Sequence, residues 1–350
     1  MHISTLTTTE PLLRDLITLT LSDQADVLVC DLSPDSVTLR HFHTFDLASK
    51  STVDLAHSCL SCSLREAIIP ALSNLAHMGV DRLVLALPPA AEALTVIPLL
   101  HEYTAPGQYL DHCVLTTCIH AVNTDTVKRD LLTHTPLREL GCHLSDDDDR
   151  CAGEVLMNGI GYADLVLSLG DDPVGGELAE HLRPFDTLMV HHLDDVTDTL
   201  LFDHRHDPDA AIARIHPAST LAWGGPHTHG VWTLDLHSDR PFHPERLAQF
   251  AADLAAHSTC ARGCFWLPSR PDTVCTWEVS GGSASVGVAG SWDDSAHTHI
   301  IVTGTQDVAY LRDEITATFQ RILMNDTELH HAFEWIGADD GLSHWFTPHD

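Results

Sequence analysis

The sequence predicts an α/β protein: a doubly wound, mostly parallel sheet, followed by a smaller α+β domain. Short apolar runs alternate with helix-patterned stretches through residue 195, the signature of strands joined by crossover helices. Composition then shifts between Asp203 and Gly230, where Pro208, Pro217, Gly224, Gly225 and Pro226 lie among scattered His and Trp. Beyond that stretch come several strands with glycine turns and two helices. With 350 residues and 44% apolar content, the chain is long enough to bury two cores. The expected division is a first domain over 1–202, a linker over 203–230 and a second domain over 231–350.

Taken in order, His2–Leu6 reads as a strand, Pro11–Leu21 as a helix and Asp26–Cys30 as a strand. Ser36–Leu47 alternates like one or two further strands after the turn Asp31-Leu32-Ser33-Pro34-Asp35. Leu64, Ile68, Leu72 and Leu75 recur at helical spacing, and Ser63 with Glu66 fits the S-x-x-E capping box, so a helix is expected to start at Ser63. Arg82–Leu87 is a short apolar strand, Ala91–Tyr103 a helix and Cys113–Ala121 a buried strand. A helix over Arg150–Tyr162 leads to strands at Asp164–Ser168 and Leu188–His191. In the second domain, Val231–His237, Cys264–Leu267, Val274–Val279, Ser283–Ala289 and His299–Thr303 read as strands. Pro244–Ala256 and the Val308, Leu311, Ile315, Phe319, Ile322 series read as helices.

Charge narrows the function classes. Eighteen Lys+Arg against 50 Asp+Glu give a net charge of −32, which argues against direct binding of DNA or RNA, since phosphate binding relies on clustered cations. Basic proteins and metal cations are the fitting partners; a plain solvated acidic surface is the alternative. No apolar run reaches the eighteen or more residues of a membrane span, and Met1-His2-Ile3-Ser4 begins no basic leader, so a cytoplasmic protein is expected. The ten cysteines are accordingly expected to be reduced.

The candidate chemistry centres on His57-Ser58-Cys59-Leu60-Ser61-Cys62. Thiols three residues apart at a helix start meet unpaired backbone N–H groups and the positive end of the macrodipole, which favour thiolate. Three readings stay open: thiols that cap a helix without metal, two ligands of a tetrahedral soft-metal site, or a redox pair. His57 is the nearest further metal ligand. His227-Thr228-His229 and His297-Thr298-His299 are the best of many close His pairs, although a chain with 27 histidines produces such pairs by chance. Asp146–Asp149 lacks the alternating ligands and Gly turn of a calcium loop and reads as solvated. Cys260 and Cys264 read as packing, and most tryptophans as second-domain core.

Several stretches resemble the CobW-like GTPases, a family that includes zinc metallochaperones. They are Arg240-Pro241-Phe242-His243-Pro244-Glu245-Arg246-Leu247, Gly263-Cys264-Phe265-Trp266-Leu267, Gly290-Ser291-Trp292 and Asn325-Asp326-Thr327-Glu328-Leu329. The resemblance implies a P-loop-GTPase-like first domain and a CobW C-terminal domain. The first half departs from the pattern. A P-loop needs Gly-x4-Gly-Lys-Ser/Thr, in which backbone N–H groups and the Lys hold phosphates. Here Thr5-Leu6-Thr7-Thr8-Thr9-Glu10-Pro11 has neither Gly nor Lys, and the only lysines, Lys50 and Lys128, follow no glycine. Ala86-Leu87-Pro88-Pro89-Ala90 lacks the family's magnesium-side Glu and its Gly. Of the guanine-reading Asn-Lys-x-Asp, Leu169-Gly170-Asp171-Asp172 retains only Asp172. GTP binding and hydrolysis are not expected. The metallochaperones' Cys-x-Cys-Cys is reduced to Cys59 and Cys62 with Ser61 between, and the implied metal is zinc.

An eroded P-loop with Cys-x-x-Cys and an intact C-terminal domain looks most like the actinobacterial ribosome hibernation factor-recruiting proteins (Mrf). That resemblance implies a non-catalytic protein of the zinc-starvation response that binds the ribosome through ribosomal proteins and recruits a hibernation factor. The alternatives are a zinc metallochaperone or zinc-homeostasis protein with GTP binding, and a zinc sensor or buffer.

Overall fold

The computed structural model describes residues 1–55, 59–145, 147–255, 258–293 and 295–346. The first sheet has eight strands: β1 (His2–Thr8), β2 (Asp26–Ser33), β3 (Ser36–His43), β4 (Asp46–Asp54), β5 (Arg82–Ala86), β6 (Val114–Asn123), β7 (Leu165–Leu169) and β8 (Leu188–Val190). Their order is β4-β3-β2-β5-β1-β6-β7-β8. All adjacent pairs from β2 to β8 are parallel, and β3 and β4 extend the β2 edge as an antiparallel hairpin. β1 is buried on both faces, as a central parallel strand covered by helices must be. This is the doubly wound sheet the alternation predicted.

The helices of this unit are α1 (Pro11–Leu21), α2 (Leu60–Ser63), α3 (Ile69–His77), α4 (Ala93–Tyr103), α5 (Thr124–Leu132), α6 (Ala152–Tyr162), α7 (Pro173–Leu182), α8 (Asp198–Phe202) and α9 (Pro208–Ile215). α1 and α8 cover one face, with Ile17, Leu21, Leu201 and Phe202 packing on Leu6, Val27 and Val84. α3 and α4 cover the other through Leu72, Leu75, Val96, Ile97 and Leu100. Between α2 and α3 the chain makes a π-turn over Leu64–Ile68, because Pro70 has no N–H for an ordinary helical bond and Ile69 N–H instead reaches Leu64 O.

Two expectations change here. The helix begins at Leu60 with Cys59 as its N-cap, a turn earlier than Ser63, which is fully buried and donates its hydroxyl hydrogen to Cys59 O. The stretch 203–230 is not bare linker. It contains α9, whose Ala211, Ile212 and Ile215 pack in the first core. Asp164 fastens this segment: it accepts from Cys118 N–H, lies 2.6 Å from His206 Nδ1 and takes a 3.0 Å bond from Arg214.

The second unit is an antiparallel sheet of β9 (Trp232–Ser238), β10 (Cys260–Leu267), β11 (Arg270–Ser280), β12 (Ser283–Ser291) and β13 (Thr298–Gly304), in the order β12-β11-β10-β13-β9. Its core gathers Trp232, Phe242, Phe265, Trp277 and Phe319 with Leu247 of α10 (Pro244–Leu254) and Ile315 of α11 (Leu311–Ile322); α12 (Asp326–His330) follows. The two units meet through Gly281 N–H on Leu131 O (2.7 Å), His181 on Thr233 (2.8 Å) and Glu177, which accepts from His229 and Val231 N–H. Among the described residues, no helix is long and apolar enough to cross a membrane.

α7 lies so close to α5 that a Cβ on Gly175 would come within 1.9 Å of Thr124 O. Gly175→Ala is therefore expected to destabilise the fold by roughly 1–3 kcal/mol, read as a lower urea midpoint at unchanged slope.

Candidate metal and nucleotide sites

The thiol pair is set by the entry to α2. Cys59 is extended (φ −128°, ψ 144°), and its sulfur accepts Cys62 N–H at 2.9 Å. The two Cα atoms are 5.2 Å apart, and the sulfurs are joined in a disulfide. The expectation that every cysteine is reduced fails at this pair, because an N-cap and the first helical turn bring the sulfurs together. Behind it, Leu64, Ile68 and Leu72 anchor the helix in the core. His57, the expected further ligand, lies outside the described residues. The other eight cysteines are buried free thiols. Burial pushes Cys260 up to about 12 and Cys264 up to about 11, so both are inert packing groups as expected.

Cys59 and Leu60 form one wall of an open bowl of about 540 Å³. The opposite wall is the acidic loop before α6: Leu144, Ser145, Asp147, Asp148, Asp149 and Arg150, with Glu154 from α6. Burial alone would raise the Asp148 carboxyl. Hydrogen bonds from the Arg150 guanidinium and from Leu144 N–H outweigh that and hold it at about 2. Arg150 also reaches Glu92 at 2.6 Å. Asp147 and Asp149 are exposed on either side of this anchor. Nothing in the sequence signalled that this run shares a bowl with Cys59, because the two come from separate crossovers of the sheet.

The position matching a P-loop is occupied by protein. β1 and α1 are joined by Thr9 and Glu10 alone, and Pro11 opens the helix with no N–H to offer. The Glu10 carboxylate accepts a 2.9 Å bond from Asn123 Nδ2 and a second from the Thr126 hydroxyl. Beneath it, His120 Nδ1 lies 2.9 Å from the Thr7 hydroxyl, and desolvation lowers this fully buried ring to about 4. At the place of the guanine reader, Asp172 caps α7 by accepting Val174 N–H at 3.0 Å, while Asp125 accepts both Asp171 and Asp172 N–H. Asp172 lines a cleft with Thr124, Ser168, His191, His192 and His229.

The His pairs are engaged in packing. His299 Nε2 lies 2.6 Å from Asp235, and the His237 ring stacks on His297. His227 Nδ1 lies 2.9 Å from Val231 O. Among the described residues, no three His, Cys, Asp or Glu side chains stand together ready to hold a metal ion.

Residues 231–323 match the cobalamin synthesis protein cobW C-terminal domain. The second unit is thus of the CobW C-terminal kind. The chain is 28% identical over 270 residues to the Mycobacterium tuberculosis protein named zinc chaperone Rv0106, a match covering 70% of this chain and 62% of that protein. It is 22% identical over 269 residues to zinc-regulated GTPase metalloprotein activator 1 of Dictyostelium discoideum, covering 69% and 55%. The chain thus spans less than two thirds of the length of these curated relatives. Among solved structures it resembles the Zn(II)-bound YjiA GTPase from E. coli at 14% identity, covering 92% of this chain and 98% of that one, with a TM-score of 0.37 that adds no weight.

The acidic loop titrates in a definite direction. A carboxyl held below its ordinary value contributes stability above that value and loses it as pH falls through the folded one. With the Asp148 side chain 6% exposed, the contribution is on the order of 2 kcal/mol, lost between about pH 4 and pH 2. Asp148→Asn is expected to lower stability at neutral pH by about that amount. The gap between variant and wild type should narrow below about pH 4 and close as pH falls through about 2 in urea denaturation series.

Proposed function

We propose that this chain is a zinc-handling protein of the CobW kind that binds the metal at the reduced Cys59–Cys62 pair without turning over a nucleotide. The observation that carries the reading is the pair itself: two soft donors held at a helix start, their spacing fixed by the N-cap bond from Cys62 N–H to Cys59. Thiolate softness selects zinc over the hard cations that an acidic surface also attracts. The names of the mycobacterial and Dictyostelium relatives support zinc as cargo. The Glu10 carboxylate supports the non-catalytic half of the reading, since it would repel a phosphate where a GTPase holds one.

Metal analysis of reduced protein tests this directly. Wild type is expected to retain about one equivalent of zinc against a weak chelator, and Cys59→Ser/Cys62→Ser to lose at least tenfold in affinity. Equal zinc in both proteins would remove the pair as the site. Calorimetry with GTP and Mg²⁺ should show no saturable heat, whereas tight binding would return the chain to the nucleotide-switched metallochaperones.

A second reading, favoured by the same Glu10 geometry and the net charge of −32, is that of an adaptor that docks on basic ribosomal proteins and brings a hibernation factor. Co-sedimentation with ribosomes from zinc-starved cells is its expected outcome. Failure to co-sediment, with normal hibernation in a deletion strain, removes it.

A further inference from the structure

Among the described residues the two sheets end in the edge strands β4, β8, β9 and β12. An open edge invites pairing with another chain unless charge, proline or shortness blunts it. β4 carries Asp46, Lys50 and Asp54, β8 is three residues long, and β9 carries Asp235 beside His299. β12 has no such protection along its length. Its nine residues, Ser283–Ser291, are only Ser, Ala, Val and Gly, in a chain of net charge −32. It pairs with β11 alone, and Ser283, Ala284 and Ser285 are exposed, as is Val288 at 54%. We propose that this edge is the docking surface for a second copy of the chain: β12 pairs antiparallel with its counterpart about a twofold axis at Ser285, and the two antiparallel sheets become one.

The register follows from the strand itself. Between Val288 and Ser291, β12 holds one residue more than β11 does opposite it, with Gly290 at φ +117°. Ala289 O lies 3.4 Å from His216 Nε2. A bulge interrupts the ladder, so regular pairing ends at Val288. An axis at Ser285 stays within the regular stretch. Ser285 then meets the partner's Ser285, Ala284 meets the partner's Val286, and Ser283 meets the partner's Gly287. No pair opposes like charges, and each valine stands against a small residue. An axis at Gly287 would instead set Ser285 against the bulged Ala289.

The helix side of the joint has room for the partner. Val286 lies opposite Trp277 on β11, and Ala284, two residues away, shares its face. With Trp277 they line a groove of about 420 Å³ whose far wall is Ala251, Ala252 and Ala255 of α10. The partner's Val286 enters beside this wall of methyl groups, and covering that apolar row drives the association. A twofold interface uses one patch twice, so it needs a strip that complements itself. Charge selects the same occupant. Two chains of −32 repel wherever acidic surface meets acidic surface, and along β12 neither contributes a charge. A basic foreign strand would find no carboxylate on this edge to prefer it.

The test is sedimentation equilibrium of the full-length protein over a concentration series at low and high salt. The expected result is a reversible monomer–dimer equilibrium that tightens as salt rises, because salt screens the repulsion between the acidic bodies and spares the uncharged contact. Ser285→Asp sets two carboxylates face to face on the axis and should weaken the dimer roughly tenfold or more. Ser51→Asp adds the same charge to the exposed β4 edge and should change it by less than about twofold. Ala252→Gln, on an exposed position of α10, fills the groove without adding charge and should also weaken the dimer. Under a mild added oxidant, Ser285→Cys should cross-link as a dimer on a non-reducing gel, and Ser283→Cys, which faces a glycine, should not. A protein that stays monomeric throughout, or an association that weakens with salt, overturns the proposal. So does wild-type association in both Ser285→Asp and Ala252→Gln, or an equal loss in Ser51→Asp. Cross-linking through Ser283→Cys as fast as through Ser285→Cys overturns the register.

Discussion

The carboxylate of Glu10 sits at the end of the central strand, where a doubly wound sheet normally opens its crevice, and it is held there by Asn123 and Thr126 at the β6–α5 turn. Much follows from that small network. It joins the β1–α1 turn to the β6–α5 turn at the end of two paired strands. It also places a negative charge and a proline where a phosphate would need backbone N–H donors and a lysine. Burial keeps His120 below it a neutral ring, and the nearby positive charge that Glu10 feels is Arg129 of α5. The sheet keeps the doubly wound architecture with a carboxylate at the end of its central strand.

A second constraint ties the two halves of the chain into one body. Asp164, at the start of β7, gathers Cys118 N–H, His206 and Arg214, three groups from β6, the segment before α9, and α9 itself. Burial would raise this carboxyl, but the His206 and Arg214 contacts hold it below the usual range, so the hub is ionised at neutral pH. With α9 fixed on the first core, the connection to the second sheet is short, and Glu177 pins its far end at His229 and Val231. The thiol-bearing helix is anchored in the same core cluster as α9.

The buried parallel strands and the long helices were legible because their apolar runs and periodicity are set by burial itself. α1 was bounded correctly from Pro11 to Leu21. β4 was harder: every residue but Val53 is exposed, so it has no alternation to read and is held by its hairpin partner. α9 was hidden by the turn-rich composition around it. The Ser63–Glu66 pattern misplaced a helix start because a cysteine sulfur did the capping a turn earlier. The chemistry was legible in its residues and illegible in its geometry. Cys59 and Cys62 were evident as a pair, and the acidic run is exposed as read; that Cys59 shares a bowl with that run was not legible, because it comes from another crossover. Asp172 is read differently once its N-cap bond is known, since capping alone explains an aspartate before Pro173.

The abundance of histidine invites a reading as a diffuse zinc buffer, and the physical arrangement argues against it. Several of the paired histidines are engaged: His299 with Asp235, His297 in stacking on His237 and His227 with a backbone carbonyl. A net charge of −32 raises the local concentration of every cation but distinguishes none. Selection has to come from donor softness. Apart from Cys59 and Cys62, every thiol in the chain is buried, with its pKa raised by desolvation. Burial thus singles out one pair by making the other eight unreactive.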